Sequence, residues 1–487
     1  MDPAWAAGFE TQAEEARASL DVEGTIPEWL TGTYVANGPG AFEAGDRPLV
    51  HWFDPFAMLR RFRFDDGAVA YANRYVRSRD LAFAEDRGRV RTPFPGTPAD
   101  RPLPVRLLQA LRGTVTDNPV IGVARMGGEW LAVTESPWGL AFDPDTLETL
   151  GRRDLTAGLD ADLTLGHLHH DPDEGAFYNL AAAYGGRGET GYTLFRRPAG
   201  EEGGPADPDP IARIRVDRPY LPYVHSFALT GRYAVVGLMP SGVAPRALLV
   251  GALRGRTFLD AFDGFDDPGR LLVFDRRTGE RVADAPVDPA FVYHHANAYE
   301  TDAGGSVALD CVAYPDERAV TDLTLANLRG ADPTAPAGDL VRYRIDLDAG
   351  RADRRVLRTG PVEFPAIHYR RHNGRPYRHV WLAEGGPGPL PARLARVDVR
   401  DGGAARYDPG PAAFPGEPVF VPRPDPDGEA DGVLLSVVLD AGADRSVLVV
   451  LDAGSMAELA RAPLPHRLPY GFHGQFYGPP DPGRSMN

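Results

Sequence analysis

Short runs in which apolar and polar residues alternate, each closed by Asp, Asn or Gly, recur from one end of the chain to the other. Leu59-Arg60-Arg61-Phe62-Arg63-Phe64 enters the turn Asp65-Asp66-Gly67 and returns as Ala68-Val69-Ala70-Tyr71. Leu271-Leu272-Val273-Phe274 turns at Arg277-Thr278-Gly279, and Val341-Arg342-Tyr343-Arg344-Ile345 turns at Asp348-Ala349-Gly350. A period of two bounded by turn formers predicts antiparallel hairpins. Long helical periodicity is nearly absent, so the pattern predicts an all-β chain. Serial hairpins suit more than one architecture, a sandwich and a solenoid among them, and the sequence repeat is too weak to choose. Two apolar stretches with Arg near their ends, 104–112 and 245–254, read as short helices. The first 20 residues, rich in Ala and Glu, read as a loose amphipathic helix or arm, and residues 21–487 as one domain, because no linker or low-complexity run divides them.

Composition supports that picture and narrows the function. A hydrophobic fraction of 43% is ample for a large core, and Gly 55 and Pro 47 are spread throughout, as many tight turns require. The net charge is −16 and the sequence contains no lysine, so every basic side chain apart from histidine is Arg. Such acidity argues against general nucleic-acid binding. A single cysteine, Cys311, excludes an internal disulfide and suits a reducing cytoplasm. The N-terminus carries no charged-then-apolar signal pattern and no apolar run approaches ~18 residues, which predicts a soluble or peripheral protein.

The chemistry is carried by histidines far apart in sequence. They stand in Gly166-His167-Leu168-His169-His170-Asp171-Pro172, Tyr223-Val224-His225-Ser226-Phe227, Tyr293-His294-His295-Ala296-Asn297 and Pro469-Tyr470-Gly471-Phe472-His473-Gly474. Neutral imidazoles suit Zn, Cu, Fe or Ni, and an octahedral ion held by four of them keeps two positions open, as dioxygen chemistry requires. The reading rests on the four contexts together.

Those contexts resemble the carotenoid cleavage oxygenase family. The resemblance also runs through Pro27-Glu28-Trp29-Leu30-Thr31-Gly32-Thr33-Tyr34, Asn37-Gly38-Pro39-Gly40, His51-Trp52-Phe53-Asp54, Thr116-Asp117-Asn118, Phe142-Asp143-Pro144-Asp145-Thr146-Leu147-Glu148-Thr149 and Gly416-Glu417-Pro418-Val419-Phe420-Val421-Pro422. It implies a seven-bladed β-propeller with a non-haem Fe(II), one per chain, on its axis under a cap of loops and short helices. By the family's motifs the metal ligands are His167, His225, His294 and His473. Adjacent strand residues face opposite ways, which supports one ligand per adjacent pair, and His169, His170 and His295 then read as cap or blade-packing residues. Glu135, Glu363 and Glu417 match the glutamates that orient His225, His294 and His473 in the family; a metal-bound imidazole needs such an acceptor for its other N–H. The ligand gaps of 58, 69 and 179 residues compare with about 70 residues per blade, near one, one, and between two and three blades.

The resemblance further implies a dioxygenase that cleaves a double bond of a polyene or stilbene to two carbonyl products. Stilbene-cleaving members use a Tyr and a Lys to hold and ionise a phenol; without lysine that arrangement is unavailable, so a carotenoid or apocarotenoid is favoured. The N-terminal motifs look most like the animal branch, which points to 15,15' cleavage of β-carotene to retinal. Alternatives are an eccentric bond, a stilbene, a retinyl-ester isomerohydrolase and a non-catalytic carotenoid-binding propeller. Ala36, where many members carry Arg, and Pro55-Phe56, in place of the usual Gly, depart from the pattern. Phe53, Trp138, Tyr223, Phe227, Tyr293 and Phe472 are the candidate tunnel walls, from motif adjacency. Segments 104–112 and 245–254 fall where relatives touch the membrane, which predicts a cytoplasmic protein peripheral on a lipid surface.

Overall fold

Phe56–Asp65 and Ala68–Tyr75 pair antiparallel through the turn at Asp66 and Gly67, whose φ values of 48° and 73° are both positive. Few residues accept two such conformations in succession, which is why Asp-Gly marks this hairpin in the sequence. The hairpins expected at 271–279 and 341–350 form in the same way, with Gly279 and Gly350 in the left-handed region. In the computed structural model, which describes residues 3–185, 189–198, 206–386 and 390–478, such units assemble into seven sheets of four to six strands.

The sheets follow one another in sequence as the blades of a propeller. Blade 1 contains Gly32–Ala36, Phe56–Asp65 and Ala68–Tyr75; blade 2 runs from Gly122 to Asp154 and blade 3 from Leu163 to Arg215. Blade 4 contains Ala228–Leu229, Tyr233–Leu238, Gly269–Asp275 and Arg281–Val287. Blade 5 runs from Phe291 to Arg358, blade 6 from Val362 to Tyr407, and blade 7 from Ala413 to Pro463. Middle strands are buried on both faces between neighbouring blades, so Gly432–Asp440 and Arg445–Asp452 read as nearly continuous apolar runs. Outermost strands face water, and Arg351–Arg358 is mostly exposed and rich in Arg, a composition that discourages pairing at an open edge.

Both chain ends close the ring. Glu23–Gly24 adds an outermost strand to blade 7, and Gly474–Tyr477 pairs with Gly32–Ala36 as the edge strand of blade 1. The expectation of a loose arm over residues 1–20 is therefore corrected. Arg17–Leu20 is hydrogen-bonded to Ala68–Tyr75, and Phe9 is fully buried with its ring 5.4 Å from Trp52 and 5.1 Å from Tyr470. The amphipathic look came from apolar residues that plug the core from a short 3-10 turn at Ala4–Phe9.

Candidate metal centre

The innermost strands do not run unbroken to the axis, and the breaks hold the chemistry. His167 lies between the short strands Leu163–Thr164 and His169–Asp171, both paired to Ala176–Tyr184. His225 lies between Leu221–Pro222 and Ala228–Leu229, Glu417 between Ala413–Pro415 and Val419–Pro422, and His473 just before Gly474–Tyr477. Glu135 sits in the connection between Glu129–Val133 and Trp138–Phe142. His294 is within Phe291–Thr301 where the register slips between Val292 and His295, and Glu363 is at a second slip between Glu363 and Ala366. Bulges re-aim side chains that a regular pleat would point elsewhere. At Glu363 the cost is visible: Phe364 takes φ 53°, a left-handed conformation unfavourable for a residue with a Cβ.

These breaks bring His167, His225, His294 and His473 together, with one ligand atom from each within 4.8 Å of the others. His167 stands at the middle, its ring 4.5 Å from His225, 4.9 Å from His294 and 4.4 Å from His473. Each of the other three rings gives Nδ1 to a carboxylate: His225 to Glu135 at 2.5 Å, His294 to Glu363 at 2.6 Å and His473 to Glu417 at 2.8 Å. Nδ1 bound in this way leaves Nε2 as the bare lone pair, and the Nε2 atoms of His167 and His294 are buried without a partner. Burial, followed by the three neighbouring imidazoles, drives the His167 pKa well below its ordinary value, so it is a neutral donor. Orphaned lone pairs converging in one buried place fit a divalent transition metal; no other described group of three or more such side chains does.

The carboxylates are themselves held. Burial pushes the Glu363 carboxyl up, but His294, the Phe364 N–H and the Tyr314 hydroxyl at 2.9 Å outweigh it and leave it below the usual range. Tyr223 donates to Glu135 at 2.8 Å and lies 2.9 Å from His225 Nδ1, and the Gly474 N–H reaches Glu417 at 2.8 Å. Tyr314, Phe364 and Ser226 were not found in the sequence. Ser226 takes His295 out of the cluster with a 2.7 Å contact to its Nδ1, while His169 contacts the Phe227 carbonyl and the Tyr369 hydroxyl. His170 packs on Phe177.

Two cavities open on the imidazoles. One of about 100 Å³ is lined by Trp52, Phe53, Tyr293, Phe364 and Phe472 beside His225, His294 and His473. A larger one of about 660 Å³ is lined by Glu135, Tyr223 and His225, by Phe94, Phe258 and Phe262, and by residues of the helices Leu103–Leu111 and Pro245–Arg254. Of the six aromatic residues expected as walls, Phe53, Tyr223, Tyr293 and Phe472 line these spaces. Trp138 and Phe227 are corrected to other roles: the Arg152 guanidinium lies 3.7 Å over the Trp138 ring, and Phe227 is fully buried in the core between blades 3 and 4. The two helices pack together, with Leu103, Leu107, Leu108, Val250 and Leu253 exposed. No helix among the described residues is long and apolar enough to cross a membrane.

Known proteins share this arrangement. The family model described as retinal pigment epithelial membrane protein matches residues 9–478. The β,β-carotene 15,15'-dioxygenase of Rattus norvegicus is 30% identical over 522 aligned residues, covering 97% of this chain and 90% of the relative. The apocarotenoid-15,15'-oxygenase of a Synechocystis species is 31% identical, covering 97% and 96%. A solved variant of the Synechocystis apocarotenoid oxygenase superposes with a TM-score of 0.85 at 26% identity over 98% of both chains, and a cobalt-substituted form with 0.85 at 27%. Cobalt replaces another metal in that enzyme, and the quartet of imidazoles here fits such a centre. Seven blades, four axial histidines and a match along nearly the whole length have one explanation: this chain belongs to the family of the retinal pigment epithelial membrane protein, the carotenoid cleavage oxygenases.

Proposed function

We propose that this chain is an oxygenase that cuts a double bond of a carotenoid or apocarotenoid into two carbonyl fragments, with one Fe(II) held by His167, His225, His294 and His473 and dioxygen as co-substrate. One observation carries the reading: four clustered imidazoles, three fixed by carboxylates, with buried, unpartnered Nε2 atoms on His167 and His294, beside two aromatic-lined cavities that both reach His225. Iron(II) in that setting supplies redox chemistry with dioxygen. The chain's own residues hold and shape. Glu135, Glu363 and Glu417 fix each ring's tautomer and orientation. Phe53, Tyr293 and Phe472 press the polyene towards the centre and keep water away. The proposed bond is the central 15,15' one, giving retinal from β-carotene, because the rat and Synechocystis relatives are named for that position. A cytoplasmic protein resting on a lipid surface through 103–111 and 245–254 completes the proposal; exposed leucines on the two helices that help line the larger cavity support the lipid contact.

The test is anaerobic loading with Fe(II), then aerobic incubation with detergent-dispersed β-carotene and an apocarotenal, reading products by chromatography and mass. Retinal from β-carotene is the expected result. Other aldehydes would keep the oxygenase and discard the central bond. No product from a chain holding one iron would sink the reading, as would full activity and metal content in His473→Ala.

A further inference from the structure

Four arginines in the wall of the larger cavity lack a partner among the described residues. Arg106, Arg112, Arg246 and Arg256 all line it, and among the described residues none of their side chains has an ion pair or hydrogen bond. The surrounding chain is not short of acids: its net charge is −16, and nearby Arg91 is paired with Asp80 at 2.9 Å. Arg106 goes further than the rest. Its Nε is buried without an acceptor, and its Nη1 lies against Gly255, where a Cβ would meet it at 2.0 Å. The absence of a side chain at Gly255 makes room for that guanidinium beside the cavity.

Arg106 does not share the face that the helix turns to solvent. Leu103, Leu107 and Leu108 are exposed, whereas Arg106, Gln109 and Ala110 line the cavity, as a period of 3.6 separates them. The two acids of the same cavity are already engaged: Glu135 by Tyr223 and His225, Asp162 by the Tyr184 N–H at 2.8 Å. Much of the rest of the wall is apolar, with Phe94, Leu248, Phe258 and Phe262. A largely apolar space lined by both His225 and unpaired guanidiniums matches a ligand that is a hydrocarbon with one anionic tip.

Resting on the oxygenase reading above, we infer that among apocarotenoids the cavity favours those whose end remote from the cleaved bond is a carboxylate, that is apocarotenoic acids, bound through Arg106 with Arg112, Arg246 and Arg256 around it. A guanidinium gives a carboxylate two parallel charge-assisted hydrogen bonds, which an aldehyde or alcohol end does not reproduce. Cleavage of such a substrate leaves one fragment with its acid intact.

The experiment compares kcat/KM of the iron-loaded enzyme for an apocarotenoic acid and for the aldehyde and alcohol of the same chain length, near neutral pH in one detergent. Binding of the acid is measured separately by its co-elution on gel filtration. The expected result is a ~10- to 100-fold preference for the acid, falling towards unity in Arg106→Gln. Arg355→Gln, which removes the same charge from an exposed strand of blade 5, is expected to keep the preference. Equal rates on all three substrates, or a preference that survives in Arg106→Gln, would overturn the inference. So would loss of binding to anionic vesicles in Arg106→Gln with the preference intact, which would assign the arginines to lipid phosphates. Arg106-dependent binding of the acid without cleavage of any substrate would uphold the acid site while discarding the oxygenase reading.

Discussion

His294 and Glu363 show how the site is tuned one residue at a time. Each sits at a register slip, and the carboxylate they share also accepts from Tyr314 and the Phe364 N–H. Glu363→Gln keeps the size but loses the charge that holds His294 in one tautomer. We expect metal affinity or kcat to fall ~10- to 100-fold, measured as iron per chain and initial rate, with the fold unchanged by circular dichroism. Wild-type values would show that the contact does not orient the ligand. Farther out, His51 and Asp54 pin the wall that carries Phe53. His51 Nε2 donates to the Val320 carbonyl, and its Nδ1 accepts the Phe53 N–H at 3.2 Å, so a second ring proton has no place. Burial lowers His51 to about 4, and burial raises Asp54 to about 6 against the hydrogen bonds of Thr97 and Gly96. Between pH 6.5 and about 4 the unfolded chain protonates His51 while the fold refuses, so His51 costs stability as pH falls. Between about 6 and 3.8 the fold protonates Asp54 while the unfolded chain does not, so Asp54 adds stability as pH falls. The two offset each other. Asp54→Asn should therefore lose, from pH 6.5 to 4, on the order of 3 kcal/mol more unfolding free energy than the wild type, by urea titration at each pH. Parallel pH curves would refute the raised carboxyl.

The elements divide into those the sequence declares and those it conceals. Asp66-Gly67, Gly279 and Gly350 announce their hairpins because only certain residues accept a positive φ. The four histidines are legible through motif context, whereas the geometry that gathers them is not. A bulge depends on where the neighbouring strand slips, and nothing in Glu363-Phe364-Pro365 reveals that Phe364 will turn left-handed. Tyr314 reads as an ordinary strand residue, and Trp138 looks like a wall although a cation from the adjoining strand covers it. The segment before residue 20 misleads because its strand is short and its partner lies some 50 residues away. The helices Leu103–Leu111 and Pro245–Arg254 are legible as helices, and the proposed contact with lipid is tested on their exposed leucines. A Leu107→Glu, Leu108→Glu double variant places two charges on that surface. It should lose most of its flotation with phospholipid vesicles while keeping its thermal midpoint within a degree or two, since exposed positions contribute little to folding. Undiminished flotation would assign the patch another role.

At the scale of the molecule, the centre draws on every blade. Blades 3, 4, 5 and 1 supply His167, His225, His294 and His473, and blades 2, 6 and 7 supply Glu135, Glu363 and Glu417. The ring is otherwise closed by two edge additions, Glu23–Gly24 on blade 7 and Gly474–Tyr477 on blade 1. The second leads directly out of His473, so the ligand and the closing strand are neighbours in sequence. A metal that binds only the assembled quartet stabilises the folded ring by mass action, about 2.7 kcal/mol when free metal is a hundredfold above its Kd. Because the ligands come from four blades, that energy is shared by the whole ring, not by one sheet. Chelation should lower the unfolding midpoint by roughly 2 to 6 °C as a single cooperative transition, and anaerobic Fe(II) should restore it. A new low-temperature step, with the main transition in place, would mean that only the cap depends on the metal. An unchanged midpoint in a chain shown to have lost its iron would mean that the ring closes through its strands alone, and that the histidines are held in place by Glu135, Glu363 and Glu417 before any metal arrives.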